Sequence, residues 1–189
     1  MKILEPKYYY NFYDGVLKGE NVQHYKKYYE DVDSAYESKD ATLPKKTLMY
    51  EVYSIGKEED NTLFWGLTLM YPITVNGECN LTRGHYHLDR NEPEIYFGCE
   101  GEGLLLFMKN NEIFAEKVYK GSIHYINGQY AHRLINTGSS IFKVGACWKE
   151  KAGHDYGEIE KSPFPIRIFK NGNNIKVKKL KEAINKFDK

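Results

Sequence analysis

The chain has 189 residues, and its 27 Lys and Arg against 26 Asp and Glu leave a formal charge of +1. A chain of this length suits one domain, because its single core can bury about 70% of the unfolded surface. The balanced charge gives no electrostatic footprint for a nucleic-acid partner. The longest apolar run, 104–108, is far shorter than the roughly 20 residues of a membrane span. We therefore expect a cytoplasmic protein with no membrane partner.

The first 46 residues are polar and rich in Tyr. Five residues within them recur at spacings of three and four, as on one face of an amphipathic helix: Val22, Tyr25, Tyr29, Val32 and Tyr36. The pattern predicts a short N-terminal helix in an arm, 1–46, that packs on the rest of the molecule.

From residue 47 to about 160, short apolar stretches typical of strands alternate with turn residues. Asn-Gly pairs at 76–77 and 127–128 favour the tight reversals of β-hairpins. No helical pattern separates the stretches, as βαβ units would require, so about ten short strands predict an all-β sandwich or barrel.

Residues 161–189 contain another Asn-Gly hairpin candidate at 171–172. A C-terminal helix is predicted after it, because apolar residues recur there at helical spacing: Leu180, Ala183, Ile184 and Phe187. We expect the arm, the region 47–160 and this segment to form one structural domain. The three cysteines lie far apart without a CxxC motif, which predicts buried free thiols rather than disulfides or a zinc knuckle.

Two histidines, His85 and His87, lie two residues apart in LTRGHYH. Side chains at i and i+2 of a strand point to the same face, so both imidazoles could reach one metal ion. An isolated pair of this kind is more often two ordinary strand histidines. Glu94 strengthens the metal interpretation, because the polar turn LDRNEP would return its carboxylate to the same face.

A third imidazole, His132, follows the Asn127-Gly128 turn and heads the segment HRLI. Three imidazoles and one carboxylate inside a barrel form a site for a divalent transition ion, and an octahedral ion would keep two positions for water or substrate. The alternative is that Glu94 is a solvated turn carboxylate and His132 a hydrogen-bonded core histidine. The set of four predicts an open metal site of the catalytic type.

The spacing of these residues resembles the two motifs of the cupins, whose small β-barrels hold a metal ion. Glu94 and a glycine seven residues later match the end of the first motif, and 121–136, with His132, matches the second. The usual Pro and Gly of the second motif are Asn127 and Gln129 here. The turn-forming Asn-Gly pair is nevertheless present where a turn is needed.

Longer segments of the sequence resemble one particular family of cupins. TRGHYHLDRNEPEIY, YAHRLINTG and AGHDYGEIE, with YEVY and TLMYP upstream, resemble the cupin-type, metal-dependent glucose-6-phosphate isomerases of archaea and some bacteria. The resemblance covers about residues 47–159. It implies an all-β fold with a single cupin (jelly-roll-like) barrel, a homodimer, and interconversion of glucose 6-phosphate and fructose 6-phosphate.

The resemblance also implies roles for particular residues. It implies one divalent ion per subunit, Fe²⁺ first and Mn²⁺, Ni²⁺ or Zn²⁺ as alternatives, with the ligands His85, His87, Glu94 and His132. It implies a sugar-phosphate pocket lined by Tyr50, Thr68, Thr82, Gly84, Tyr96, Trp148, His154 and Tyr156. Ordinary β-propensity also explains Thr and Tyr in strands. Trp148 stands where the family more often has a Tyr, so one hydroxyl contact is missing.

Glu94 is expected to be the catalytic base, since it is the carboxylate that the motif places beside the ion. A cation in contact lowers the pKa of a carboxyl group, so either Glu94 leaves the ion when substrate binds or the hydrogen moves as hydride. His154 is expected to assist ring opening as a general acid, because an imidazole pKa of about 6.5 suits proton transfer at neutral pH. Two alternatives are an oxygen-dependent cupin enzyme such as a dioxygenase and a non-catalytic sugar-binding cupin.

Overall fold

A computed structural model of the protein describes residues 1–56 and 62–180, and within them the chain forms fifteen strands and two short α-helices. The strands are β1 (Tyr8–Asn11), β2 (Val16–Gly19), β3 (Gln23–Tyr28), β4 (Leu48–Ile55), β5 (Leu63–Met70), β6 (Thr74–Val75), β7 (Glu78–Cys79), β8 (Glu94–Glu100), β9 (Glu102–Lys109), β10 (Glu112–Tyr119), β11 (Ile123–Ile126), β12 (Ala131–Asn136), β13 (Phe142–Lys149), β14 (Ile166–Asn171) and β15 (Asn174–Lys179). The helices are α1 (Tyr29–Val32) and α2 (Gly157–Lys161), with 3₁₀ turns at Asp33–Ala35 and Glu150–Ala152.

Two antiparallel sheets enclose the main core. One has six strands in the order β11-β8-β13-β5-β4-β3, and the other has three in the order β10-β9-β12. Buried Met70 and Phe142 of the first sheet belong to the same apolar cluster as Leu105 and Ile135 of the second. Two facing antiparallel sheets around one core are the arrangement of a jelly roll, and the predicted all-β, jelly-roll-like fold is confirmed.

Alternation along β8 shows how the sheet presents polar groups to the interior. Glu94 is buried and Tyr96 half-buried, whereas Ile95 and Phe97 between and after them face outward. Successive side chains of a strand point to opposite faces. The first residue of β8 therefore directs its carboxylate into the barrel.

The helix predicted across Val22 to Tyr36 is wrong for the first half of that stretch. Residues 23–28 form β3, which pairs with β4, and only α1 and one 3₁₀ turn follow. Tyr and Val favour strands as readily as the apolar spacing favours a helix. Hydrogen bonds to β4, a partner distant in sequence, decide the competition.

The C-terminal Asn-Gly hairpin is present as β14 and β15, which join β7 and β6 in a four-stranded sheet. The predicted C-terminal helix rests on residues from Leu180 onward, and residues 181–189 lie outside the described residues. All three cysteines are free, but only Cys79 is buried, while Cys99 and Cys147 are half-buried at the sheet surface. Within the described chain, every helix is too short and too polar to cross a bilayer.

Candidate metal centre and active site

The four predicted ligands converge because the two sheets place them on facing walls. His85 and His132 are directly paired by backbone hydrogen bonds, with His85 N donating to His132 O at 3.2 Å and His132 N donating to His85 O at 3.0 Å. His87 follows two residues after His85, and its ring lies 5.8 Å from the His85 ring. Glu94 comes from β8 in the opposite, six-stranded sheet.

One donor atom from each of these four side chains lies within 4.8 Å of the other three. Oε2 of Glu94 is 3.2 Å from Nε2 of His87 and 3.3 Å from Nε2 of His132. His87, Glu94 and His132 are buried, and His85 is half-buried. Small side-chain adjustments would bring donors at this separation around a single ion, at the bond lengths of about 2.0–2.2 Å that imidazole and carboxylate ligands prefer.

Hydrogen bonds on the far side of the rings fix which nitrogen faces the centre. Nδ1 of His87 lies 2.7 Å from the carbonyl oxygen of Glu92, and Nδ1 of His132 lies 3.3 Å from that of Tyr130. A carbonyl only accepts, so each Nδ1 carries a proton, and Nε2 is the nitrogen that faces the centre of the cluster. Nε2 of His85 and of His132 are buried without a hydrogen-bond partner. Lone pairs that face a carboxylate fit a bound cation.

The electrostatics of the cluster agree with that chemistry. Burial, reinforced by the other imidazoles, lowers the pKa of His85 well below its usual value and keeps the ring neutral. Burial opposes ionisation of Glu94, but hydrogen bonds with His132 and His87 outweigh it and lower the pKa of that carboxyl group. Burial also opposes protonation of His87, but its hydrogen bonds to Glu94 and to the Glu92 carbonyl outweigh burial and raise the pKa of that ring. A neutral imidazole and an ionised carboxylate are the protonation states that bind metal.

A cavity of about 390 Å³ opens beside the cluster, with His85 and Glu94 in its wall. The structure also brings to this cavity every residue that the resemblance assigned to the sugar-phosphate pocket: Tyr50, Thr68, Thr82, Gly84, Tyr96, Trp148, His154 and Tyr156. A cavity of this volume with a few convergent polar groups is typical of small-molecule sites.

The segment 82–84 presents backbone and hydroxyl donors to the cavity. Thr82 Oγ1 accepts a hydrogen bond from Leu134 N at 3.0 Å, which leaves its own proton free to donate. Gly84 has a φ of 77°, and a Cβ there would lie 2.8 Å from the Phe164 ring and 3.1 Å from Arg133. Only glycine fits both the left-handed backbone and this close approach.

The loop after β13 brings His154 and Tyr156 over the cluster. Backbone hydrogen bonds between Tyr86 and Asp155 anchor this loop beside the segment that carries His85. The His154 ring lies 4.3 Å from the His85 ring and stacks on Tyr156 at 5.8 Å. Burial lowers the pKa of His154, so its imidazole is neutral at pH 7.

Two cationic residues also line the cavity, Arg83 and Lys27. The guanidinium of Arg83 lies 4.7 Å from the centre of the Tyr156 ring and forms an ion pair with Glu160. Lys27 and Tyr25 come from β3, and we call these two residues the β3 rim. Sequence reasoning missed the β3 rim because it assigned this segment to a helix; the i, i+2 spacing of Tyr25 and Lys27 was the available signal.

A small all-β fold with three imidazoles and one carboxylate at the base of a hydroxyl-lined cavity has the features of a cupin whose site could hold a metal ion. Residues 22–185 match the family model of glucose-6-phosphate isomerase. The glucose-6-phosphate isomerase of Thermococcus onnurineus is 35% identical over 71% of this chain and 72% of its own length. That of Thermococcus litoralis is 36% identical over 69% and 70%. The chain belongs to the glucose-6-phosphate isomerase family.

Among solved structures, an oxalate decarboxylase from Bacillus subtilis matches with a TM-score of 0.45 and 14% identity, over 56% of this chain and 26% of that chain. The family assignment rests on the sequence matches, which cover most of the barrel.

Proposed function

We propose that this protein interconverts glucose 6-phosphate and fructose 6-phosphate in the cavity beside the His and Glu cluster. The observation that carries the proposal is the convergence of four donor atoms within 4.8 Å at one end of a cavity of about 390 Å³. The identity of the substrate is inferred from membership of the glucose-6-phosphate isomerase family. The cavity supplies hydroxyl and amide donors suited to a sugar and a phosphate.

We propose one divalent transition ion per subunit, Fe²⁺ first, with Mn²⁺, Ni²⁺ and Zn²⁺ also suited to these donors. The residues that would hold it are His85, His87, Glu94 and His132. When bound, it supplies a Lewis acid next to the carbonyl of the open-chain sugar.

Glu94 is the proposed base. In the aldose-to-ketose direction its carboxylate takes the C2 proton, the electron pair of that bond forms the C1–C2 double bond, and the carbonyl oxygen on C1 takes up a proton to complete the enediol. The carboxylate then returns its proton to C1 while the C2 hydroxyl gives up its proton and C2 becomes the carbonyl carbon. Glu94 is ionised, because the imidazoles beside it lower its pKa. The same lowering weakens it as a base, and a direct hydride shift from C2 to C1 would need no base.

Substrate deuterated at C2 separates these routes. With Glu94 as the base we expect extensive loss of label to water, because the carboxylate exchanges its proton with solvent. Near-complete transfer of deuterium to C1, measured by NMR of the product, would exclude Glu94 from this role and leave the isomerase activity itself unaffected.

His154 is the proposed ring-opening residue. Because burial lowers its pKa, the ring lacks the second proton that a general acid would donate at neutral pH. We therefore assign to it the opposite role from the one expected from sequence: its neutral nitrogen accepts the proton of the anomeric hydroxyl as the bond between C1 and the ring oxygen breaks, and the imidazolium then gives that proton to the ring oxygen. His154→Ala should slow turnover of cyclic substrate more than that of open-chain substrate, and equal effects on both would remove the assignment.

The decisive test is a coupled glucose-6-phosphate isomerase assay on protein stripped with a chelator, with each divalent ion added back in turn. We expect activity to return with at least one ion. Inactivity with every ion would overturn the proposal, and oxygen consumption by the reloaded protein would point to an oxygen-dependent enzyme instead.

We also propose that residues 1–46, 47–160 and 161–189 form one structural domain, and that the protein is a homodimer in the cytoplasm. The pairing of β3 with β4 supports the first statement. An exposed apolar patch supports the homodimer: Ile123 and Tyr125 of β11 lie opposite Phe97 and Ile95 of β8, and all four are exposed. Light scattering on the purified protein tests it, and a monomer at micromolar concentration would contradict it.

A further inference from the structure

The six-stranded sheet separates two ends of the cavity. Glu94 stands on β8, near one edge, and the β3 rim stands at the other edge. Tyr25 and Lys27 both line the cavity, as side chains two residues apart on one strand should. The β3 rim is therefore part of the cavity wall and is not merely an arm resting on the barrel.

Strand register places Lys27 beside the donors of segment 82–84. Lys27 is the cross-strand partner of Tyr50, so their side chains are immediate neighbours on the cavity face. Burial and Tyr156 raise the pKa of Tyr50 to about 12, and the nearby backbone amide of Arg83 opposes that rise. The Tyr50 side chain thus extends towards segment 82–84, and Lys27, its cross-strand neighbour, lines the same cavity.

Charge distinguishes Lys27 from the other polar groups there. Of the two cationic side chains that line the cavity in the described chain, Arg83 is already paired with Glu160. The ammonium group of Lys27 has no ion pair or hydrogen bond to any described residue. Asp31 also lines the cavity and carries a negative charge, but it forms no ion pair with Lys27, and its Oδ2 accepts the backbone N–H of Tyr28 at 2.8 Å.

We propose that Lys27 binds the phosphate group of the substrate, an inference that rests on the proposed function. A phosphate monoester carries a charge of about −1.5 to −2 at pH 7. The hydroxyls of Thr68 and Thr82 and the amide of Gly84 donate hydrogen bonds but no charge, and Trp148 offers no hydroxyl. Lys27 supplies the missing positive charge at the end of the cavity away from Glu94.

Lys27→Met tests the proposal, with Lys26→Met as the matched control. Lys26 is the next residue on β3, is exposed, and faces away from the cavity beside Glu51 in register. In the metal-loaded enzyme we expect Lys27→Met to raise the KM for glucose 6-phosphate about tenfold or more, with kcat changed less than about threefold, because a charged hydrogen bond is lost equally from substrate and transition state. The inhibition constant of inorganic phosphate should rise by a similar factor.

Lys27→Arg should restore KM to within about threefold of the native value, whereas Lys26→Met should leave it unchanged. An unchanged KM in Lys27→Met, or an equal effect of the two Met variants, would overturn the proposal while the native enzyme remains an isomerase. If the native protein is inactive with every ion, the metal-free proteins can be titrated with inorganic phosphate and followed by ³¹P NMR. Equal affinity of the native and Lys27→Met proteins for phosphate would overturn the proposal. A loss of affinity confined to Lys27→Met would support it.

Discussion

The two ends of the cavity differ in how deeply their side chains are buried. At the metal end His87, Glu94 and His132 are buried, and their positions are fixed by backbone pairing and by hydrogen bonds to carbonyls. At the β3 rim Tyr25 and Lys27 are exposed. A rigid, buried end suits chemistry that depends on sub-ångström placement, and an exposed cation suits attraction of an anion. The comparison predicts that substitutions at the metal end act on kcat and those at the rim on KM.

Glu94→Gln should give the largest effect. It removes both the proposed base and a ligand charge, so we expect kcat to fall by about 10³-fold or more while the fold is kept. Glu100→Gln, at the other end of β8 and exposed beside Lys143, is the matched control and should retain full activity. Steady-state kinetics and circular dichroism check both variants. A kcat of Glu94→Gln above a tenth of the native value would contradict the prediction that substitutions at the metal end act on kcat.

Gly84→Ala tests the segment that joins the two ends. A left-handed φ costs a non-glycine residue about 1–3 kcal/mol, and at Gly84 the new Cβ also meets Phe164. Gly172→Ala carries the same backbone penalty at a φ of 61° with nothing within 4 Å. We expect both variants to lower the free energy of unfolding, Gly84→Ala by more, and only Gly84→Ala to lower kcat/KM, by about tenfold. Equal losses of stability and unchanged kinetics would show that segment 82–84 does not position substrate.

Replacements of Trp148 should give the smallest effect. Trp148→Tyr and Trp148→Phe differ by a single hydroxyl at a position that lines the cavity. One hydrogen bond contributes about 1 kcal/mol, or about fivefold in affinity. We therefore expect the Tyr variant to have a KM about fivefold lower than the Phe variant. Identical KM values would mean that no phosphate or sugar oxygen lies within reach of this position.

The metal end could be predicted from sequence because its geometry follows from local rules. The His85 and His87 spacing requires only that side chains alternate along an extended segment. The positions of Glu94 and His132 followed from their place in the motifs. What sequence did not indicate was the backbone pairing of His85 with His132, which connects segments 47 residues apart.

The β3 rim could not be predicted in the same way, because its conformation depends on a distant partner. Residues 22–36 satisfy helical spacing, and only pairing with β4 makes residues 23–28 a strand. The requirement for glycine at Gly84 was likewise invisible, since the atoms that exclude a side chain belong to Phe164 and Arg133. Both omissions involve contacts between segments far apart in the chain.

His85 and His132 stand on one wall of the barrel as partners in the same backbone bridge, while Glu94 stands on the facing wall. An ion held by all of them would cross-link the two walls, much as a disulfide would. Thermal stability and catalytic activity should therefore both increase when metal is added and both decrease when it is removed, because the same coordination bonds would support both.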